Sequence, residues 1–296
     1  MQLRTDLAME AVRSLKSQIE GVRQVKKTEG ALKITQVTIE NESAAQKIGK
    51  LIGEYITIEL PTFTDNCDKA EEKSETIAGQ IKSLLPREGL VFVVGLGNEA
   101  ITPDALGPKT IKSILATRHI SGEIARSAGL DSLRPVAAMA PGVLGQTGIE
   151  VSEVILSIIK RITPSALIVI DALASAETSR LGTTIQICNT GISPGSGVGN
   201  ARPGLNEETM GVPVIGVGVP TVVDAQTLAR DLFAREDNDA RYLDEISNKT
   251  MPRGERMIVT PREIDLLIER SSKLLAMSIN SALQPDFSAK EIMALL

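Results

Sequence analysis

Hydrophobic and polar positions follow two periods along this chain, and the periods take turns. "LKITQVTIE" (32–40) and "EYITIEL" (54–60) alternate residue by residue, the pattern of half-buried strands, and read as a hairpin or edge pair. Further on, "LVFVVGL" (90–96), "PVAAMA" (135–140), "ALIVIDAL" (166–173), "TTIQIC" (183–188) and "VPVIGVGVP" (212–220) are continuous apolar runs, as expected of strands covered on both faces. Between them, apolar positions recur at helical spacing over 68–85, 104–117, 147–162 and 222–235. This alternation predicts an open, doubly wound, mostly parallel α/β sheet with flanking helices.

The ends of the chain read as helical. "MQLRTDLAMEAVRSL" begins an amphipathic helix with Thr5 or Asp6 as N-cap. Residues 236–258 are polar and charged, and read as a mobile loop or insertion. "TPREIDLLIERSSKLLAMSINSAL" then forms a long amphipathic helix with Thr260 as N-cap and Pro261 in its first turn, and a short helix follows over 288–295. There is no internal repeat and no low-complexity tract.

Composition narrows the class. Of 296 residues 42% are hydrophobic but only 2% aromatic, with no Trp, so the core is built from Ile, Leu, Val and Ala. A net charge of -5 and the lack of aromatic platforms argue against direct nucleic-acid binding. No apolar run is long enough to span a membrane, and the N-terminus has no secretory apolar region. Cys67 and Cys188 lie far apart and form no CxxC, which reads as free thiols in a reducing, cytoplasmic setting.

Candidate chemistry begins at "VFVVGLGNEAITPDALGP" (91–108). "GLGNEA" matches the glycine pattern of a dinucleotide turn. Pro103, however, delays the helix that would meet a pyrophosphate, and the strand around 135–140 ends in Met139 and Ala140 instead of a ribose-binding acid. The turn is followed by Asp104, in the first turn of a helix at a strand's carboxyl end. Capping and the helix dipole alone would account for an aspartate there. Asp171 ends an otherwise apolar strand in "SALIVIDALAS", where a carboxylate must be paired, hydrogen-bonded or functional. In an open sheet both acids emerge at the ligand-binding edge. Two such carboxylates can share a proton, one as base and one as acid, to activate water against an amide.

Other chemistries find less support. His119 is the single histidine, which excludes an HExxH zinc site, and no metal or cofactor is implied. The glycine-rich loops "APGVLGQTGIE" (140–150) and "NTGISPGSGVGNARPG" (189–204) are either plain turns or sources of backbone N–H groups for an extended peptide or an oxyanion. Candidates for substrate binding or support are thus Gly97, Asn98, Thr102, Gly142, Gly148, Glu150, Gly195, Ser196, Gly197 and Asn200. Asp224, at another strand end, reads as a helix cap or support before catalysis.

Taken together, "VVGLGNEAITPDALGP", "APGVLGQTGIE", "VIDALAS", "TTIQICNTGISPGSGVGN" and "GVPVIGVGVPTVVDA" resemble the germination proteases of spore-forming bacteria, from about Arg4 to Arg235. The resemblance implies an atypical aspartic endopeptidase that degrades small acid-soluble spore proteins in the spore core. It implies a fold similar to hydrogenase maturation proteases, a homotetramer, and Asp104 and Asp171 as the catalytic pair. It also implies a zymogen. "RTDLAMEA" matches the family's cleavage pattern, with the cut between Asp6 and Leu7. Residues 1–6 would then be a pro-segment, 7–235 the peptidase domain, and 236–296 a loop and helical extension packed on that domain. A maturation-type peptidase acting on a metalloprotein precursor is the alternative, and a dinucleotide-binding module a more distant one.

Overall fold

A continuous apolar run in the chain has to find cover on both sides, and the sheet meets that demand with helices on both faces. The computed structural model describes residues 5–15, 19–63, 70–120, 122–127, 129–195, 202–225, 227–229 and 257–295. In chain order the elements are α1 (Ala8–Ser14), β1 (Val22–Glu29), β2 (Leu32–Ile39), α2 (Glu42–Ile48), β3 (Gly53–Glu59), α3 (Ala70–Leu84), β4 (Val91–Gly95), α4 (Leu106–Ile111) and α5 (Gly122–Ser127). They continue with β5 (Val136–Met139), α6 (Leu144–Thr147), α7 (Val151–Ile162), β6 (Ala166–Ser175), β7 (Thr184–Cys188), α8 (Glu207–Met210), β8 (Val214–Asp224), β9 (Ile258–Val259), α9 (Ile264–Leu283) and α10 (Ala289–Leu295).

Among the described residues the sheet has nine strands in the order β1-β2-β3-β7-β8-β6-β4-β5, with β9 pairing β8. The α/β sheet with flanking helices is as predicted, but its parallel neighbours are confined to one half. There β8, β6, β4 and β5 pair parallel. The other half, β1-β2-β3-β7-β8, is an antiparallel run. β2 and β3 do pair, though α2 joins them in place of a tight hairpin turn.

Strand parity divides the core. Ala166, Ile168 and Ile170 of β6, Ile185 and Ile187 of β7, and Ile215, Val217 and Val219 of β8 point to one face. There they meet Ile77 and Ile81 of α3, Leu106 of α4 and Leu275 and Ile279 of α9 in one cluster. The opposite face carries two separate clusters. One joins α1 and α2 to Val37, Ile39 and Tyr55. The other joins Ile155 and Ile159 of α7 to Phe92, Val94, Leu167 and Val169. Each fully buried aliphatic side chain contributes about 1.5–3 kcal/mol relative to exposure.

Several expectations are corrected. β1, "VRQVKKTE", was not predicted; it is half-buried to exposed along its length and shows no apolar period, because backbone pairing to β2, with Val22 packed at its start, holds it. The helix over 104–117 reduces to a single 3-10 turn at Thr102–Asp104 and the short α4, since the chain turns away to let the Thr117 and Arg118 N–H groups donate to the Val136 carbonyl. Gly148, left-handed at φ 71°, ends α6 and separates it from α7. Residues 222–224 extend β8 in place of starting a helix.

Neither Thr5 nor Asp6 caps α1, whose N-cap position is Leu7, and Thr260 does not cap α9, whose N-cap position is Glu263. Other partners take those side chains instead: Thr5 Oγ1 donates to Glu10 within α1, while Asp6 Oδ2 accepts from the distant Ala174 N–H and Thr260 Oγ1 donates to the Thr221 carbonyl. The polar stretch over 236–258 falls mainly on residues 236–256, outside the described residues, as does Cys67.

Candidate active site

The glycine turn after β4 exists to seat an acid. β4 ends at Gly95 beside Ile170, and the Leu96 N–H still donates to the Ile170 carbonyl at 2.8 Å. The chain then folds back through Gly97 at φ +114°, where a Cβ would lie 1.9 Å from the Asp104 carbonyl oxygen. Only glycine fits there. At the tip, the Asn98 N–H donates to Asp104 Oδ2 at 2.7 Å, so the backbone donor a phosphate would want is already taken. From behind, Thr221 Oγ1 donates to the Pro103 carbonyl at 2.8 Å and ties the turn to β8. Burial raises the Asp104 pKa, with the Asn98 N–H opposing the shift.

Asp171 is not at the end of its strand. β6 continues to Ser175, and Asp171 sits where its neighbour β4 has stopped while β8, at Gly218, still pairs with it. Asp171 is 8% exposed, and its Oδ1 accepts from the Ala172 N–H at 2.9 Å. Burial first, then the charges of Asp104 and Asp6, push its pKa well above the usual carboxylate range. A lone carboxylate in such a place favours the neutral acid.

These acids line one groove. Two cavities of about 560 and 640 Å³ meet at Asp6, Asp171 and Gly195. The first runs over Gly216 and Gly218 of β8 toward Lys50, Tyr55 and Cys188. The second holds Asp104 with Asn98, Gly142 and the Glu150–Arg202 ion pair, 3.0 Å between Oε1 and Nη1. The groove lies in the gap between the two helical clusters of its face. Its floor carries glycines, since a Cβ on Gly216 would meet Cys188 Sγ at 2.9 Å.

Five of the eight predicted support residues that fall among the described residues reach this groove. Gly97, Asn98, Gly142, Glu150 and Gly195 line it, and Asn98 Oδ1 also accepts from Gln146 Nε2 at 2.8 Å, joining the two loops. Thr102 opens the 3-10 turn but lines neither cavity, and Gly148 only terminates α6. Ser196, Gly197 and Asn200 lie outside the described residues. Asp224 Oδ1 accepts from the Thr227 N–H at 3.1 Å, the geometry of a helix cap, away from both cavities. His119 is exposed in a turn, also away from both. Among the described residues no group of three or more His, Cys, Asp or Glu side chains is arranged to hold a metal ion.

The structure adds residues that pattern reasoning missed. Asp6, already named for the cleavage site, lines both cavities, and the stretch from Thr5 to Glu10 is bonded to the end of β6, with Leu7 fully buried. Lys50 Nζ and Gln186 Nε2 both donate to the Asp6 carbonyl. Glu10, 2% exposed, accepts from the Ala176 and Glu177 N–H groups and the Thr5 hydroxyl, and burial raises its pKa. Burial pushes the Lys50 pKa down, while Asp6 opposes the shift. Gln186 did carry a signal, as a polar residue inside an apolar strand. Lys50 carried none.

The sequence pattern of the family described as germination protease matches residues 2–235. A germination protease of Clostridium perfringens is 43% identical, covering 98% of each chain, and one of Caldanaerobacter subterraneus is 42% identical over 99% of this chain and 98% of its own. One of Priestia megaterium is 36% identical over 96% and 94%. Among solved structures, the [NiFe] hydrogenase maturation protease HycI of Thermococcus kodakarensis is similar at 14% identity and a TM-score of 0.37, over 68% of this chain and 98% of that one.

Proposed function

Because this chain belongs to the germination protease family, we propose that it is an endopeptidase whose two working groups are Asp104 and Asp171. One observation carries the reading: two carboxyl groups from different parts of the chain line one groove, and the charge of the first raises the pKa of the second. A pair in that state holds one proton between two acids. Asp104, only half-buried and stabilised by the Asn98 N–H, takes the role of base and removes a proton from water. Asp171, kept neutral by burial, donates toward the carbonyl of the scissile peptide. The water oxygen adds to the carbonyl carbon, and the proton held by Asp104 passes to the leaving nitrogen as the C–N bond breaks.

In this reading the substrate is an extended segment of a small acid-soluble spore protein, laid along the groove, and the enzyme works as a homotetramer in the spore core. Residues 1–6 form a pro-segment removed between Asp6 and Leu7. Support comes from the placement of Asp6, which lines both cavities beside Asp171. No helix among the described residues is long and apolar enough to cross a membrane. The test is incubation of the purified chain with an acid-soluble spore protein and mass mapping of the products. Cleavage after acidic residues is expected from the wild type and none from Asp104→Asn or Asp171→Asn. Intact substrate after prolonged incubation with the wild type would refute the assignment.

A further inference from the structure

Two polar side chains outside the carboxylate pair, buried Gln186 and half-buried Lys50, converge on a single peptide carbonyl. Gln186 is 7% exposed in β7, where its neighbours Ile185 and Ile187 are fully buried. Its Nε2 donates to the Asp6 carbonyl at 2.9 Å, and its Oε1 accepts from the Ala8 N–H at 2.8 Å. One side-chain amide thus brackets Leu7, holding the carbonyl that precedes it and the N–H that follows it. Lys50, just past the end of α2, donates from Nζ to the same Asp6 carbonyl at 3.0 Å and to the Thr5 carbonyl at 3.1 Å. The rest of the residue is pinned to β6: the Asp6 N–H donates to the Ala174 carbonyl, and the Ala174 N–H donates to Asp6 Oδ2, both at 2.9 Å.

Anchoring α1 would require the chain to be held, and the Ala174 bonds already do that. It would not require two donors, one of them an ammonium, on one carbonyl oxygen. Burying an ammonium and an amide is costly unless their hydrogens are used, and here both are used on the same peptide. Donors aimed at a carbonyl oxygen are what stabilises the charge it gains when water adds.

We infer that Lys50 and Gln186 fix and polarise the carbonyl of residue 6, presenting the Asp6–Leu7 bond for attack by the carboxylate pair. The inference rests on the proposed function, since it assigns attack to Asp104 and Asp171. Water adds to the carbonyl carbon and gives its proton to Asp104. The electron pair of the C=O bond collects on the oxygen held by Lys50 and Gln186. On collapse the C–N bond breaks, and the Leu7 nitrogen takes the proton of neutral Asp171. The carbonyl being held already, Asp171 is free for the leaving group in this one cleavage. The products are an acid at Asp6 and an amine at Leu7.

The test follows release of residues 1–6 from the full chain by intact mass and N-terminal sequencing, in parallel with thermal melts. Lys50→Met and Gln186→Leu each remove a donor and are expected to slow release by about 10²–10³-fold. Gln186→Glu keeps the acceptor for the Ala8 N–H but loses the donor to Asp6. A purely anchoring role leaves its release rate near wild type, and carbonyl polarisation slows it at an unchanged melting temperature. The inference is overturned if folded Gln186→Glu and Lys50→Met release residues 1–6 at the wild-type rate. It is also overturned if the wild type cleaves spore protein yet never yields a chain starting at Leu7, an outcome that leaves the carboxylate pair standing. Slow release in these variants with undiminished release in Asp104→Asn keeps the clamp and removes the carboxylate pair.

Discussion

The two faces of the sheet are made by the same strands and are used in opposite ways. On one face Ile168 and Ile170 of β6, Ile185 and Ile187 of β7, and Ile215, Val217 and Val219 of β8 lie under α3, α4 and α9 as a single cluster. On the other face the same strands present Asp171, Gln186 and Cys188, with Gly216 and Gly218, to a gap between α1–α2 and α7. Continuous cover leaves no groove, and the strand side chains named beneath it are all apolar. Divided cover leaves a groove, and every polar group in it must find a partner or hold a shifted pKa. Stability and chemistry are therefore separated by strand parity, one residue apart.

Substitutions on the two faces should accordingly fail in different assays. The largest effect is expected on the open face. Asp171→Asn and Asp104→Asn should each lower peptidase turnover by at least about 10³-fold, more than about 4 kcal/mol, while melting as cooperatively as the wild type. Substantial turnover in either would merge the two faces into one structural role. On the closed face, Ile168→Ala should cost about 2–5 kcal/mol in denaturant unfolding and leave activity per folded molecule unchanged. Loss of activity without loss of stability there would break the comparison.

Gly97→Ala tests the junction between strand and carboxylate. With φ at +114° and a Cβ 1.9 Å from the Asp104 carbonyl oxygen, it should lose about 1–3 kcal/mol of stability and reduce turnover as Asp104 is displaced. A variant with normal turnover would show that the turn does not place the acid. The smallest effect is in the pH dependence of stability. The Asp171 pKa is raised in the fold, so its contribution is fully present below the unfolded value of about 3.9 and is lost as pH rises through the folded value. Asp171→Asn removes that loss. Its melting temperature relative to wild type should rise steadily above about pH 4, and a constant difference would mean the carboxylate is ionised in the fold.

Much of this was legible in the chain. The apolar runs at 90–96, 166–173 and 212–220 became β4, β6 and β8, and an acid in an apolar strand led to Asp171 because burial of a charge needs a reason. β1 was not legible, since most of its side chains meet solvent and its backbone pairing to β2 leaves no apolar period. The cap assignments at Asp6 and Thr260 failed for a related reason: local rules supply a cap only when no distant partner competes for the side chain.

By itself the sequence determined where the apolar core strands and the long C-terminal helix form, which residues are apolar enough for the core, and which two acids stand out against it, because those follow from local periodicity and the cost of burying charge. Tertiary structure alone decided that half of the sheet would be antiparallel, that helical cover on one face would split, and that Asp6 would lie across the gap. Those outcomes rest on contacts such as the Ala174 N–H to Asp6 and Gln186 to the Asp6 carbonyl, between residues 168 and 180 positions apart. No periodicity encodes a bond between a backbone carbonyl and a side chain so distant. It forms only once the strands are in register and bring the two together.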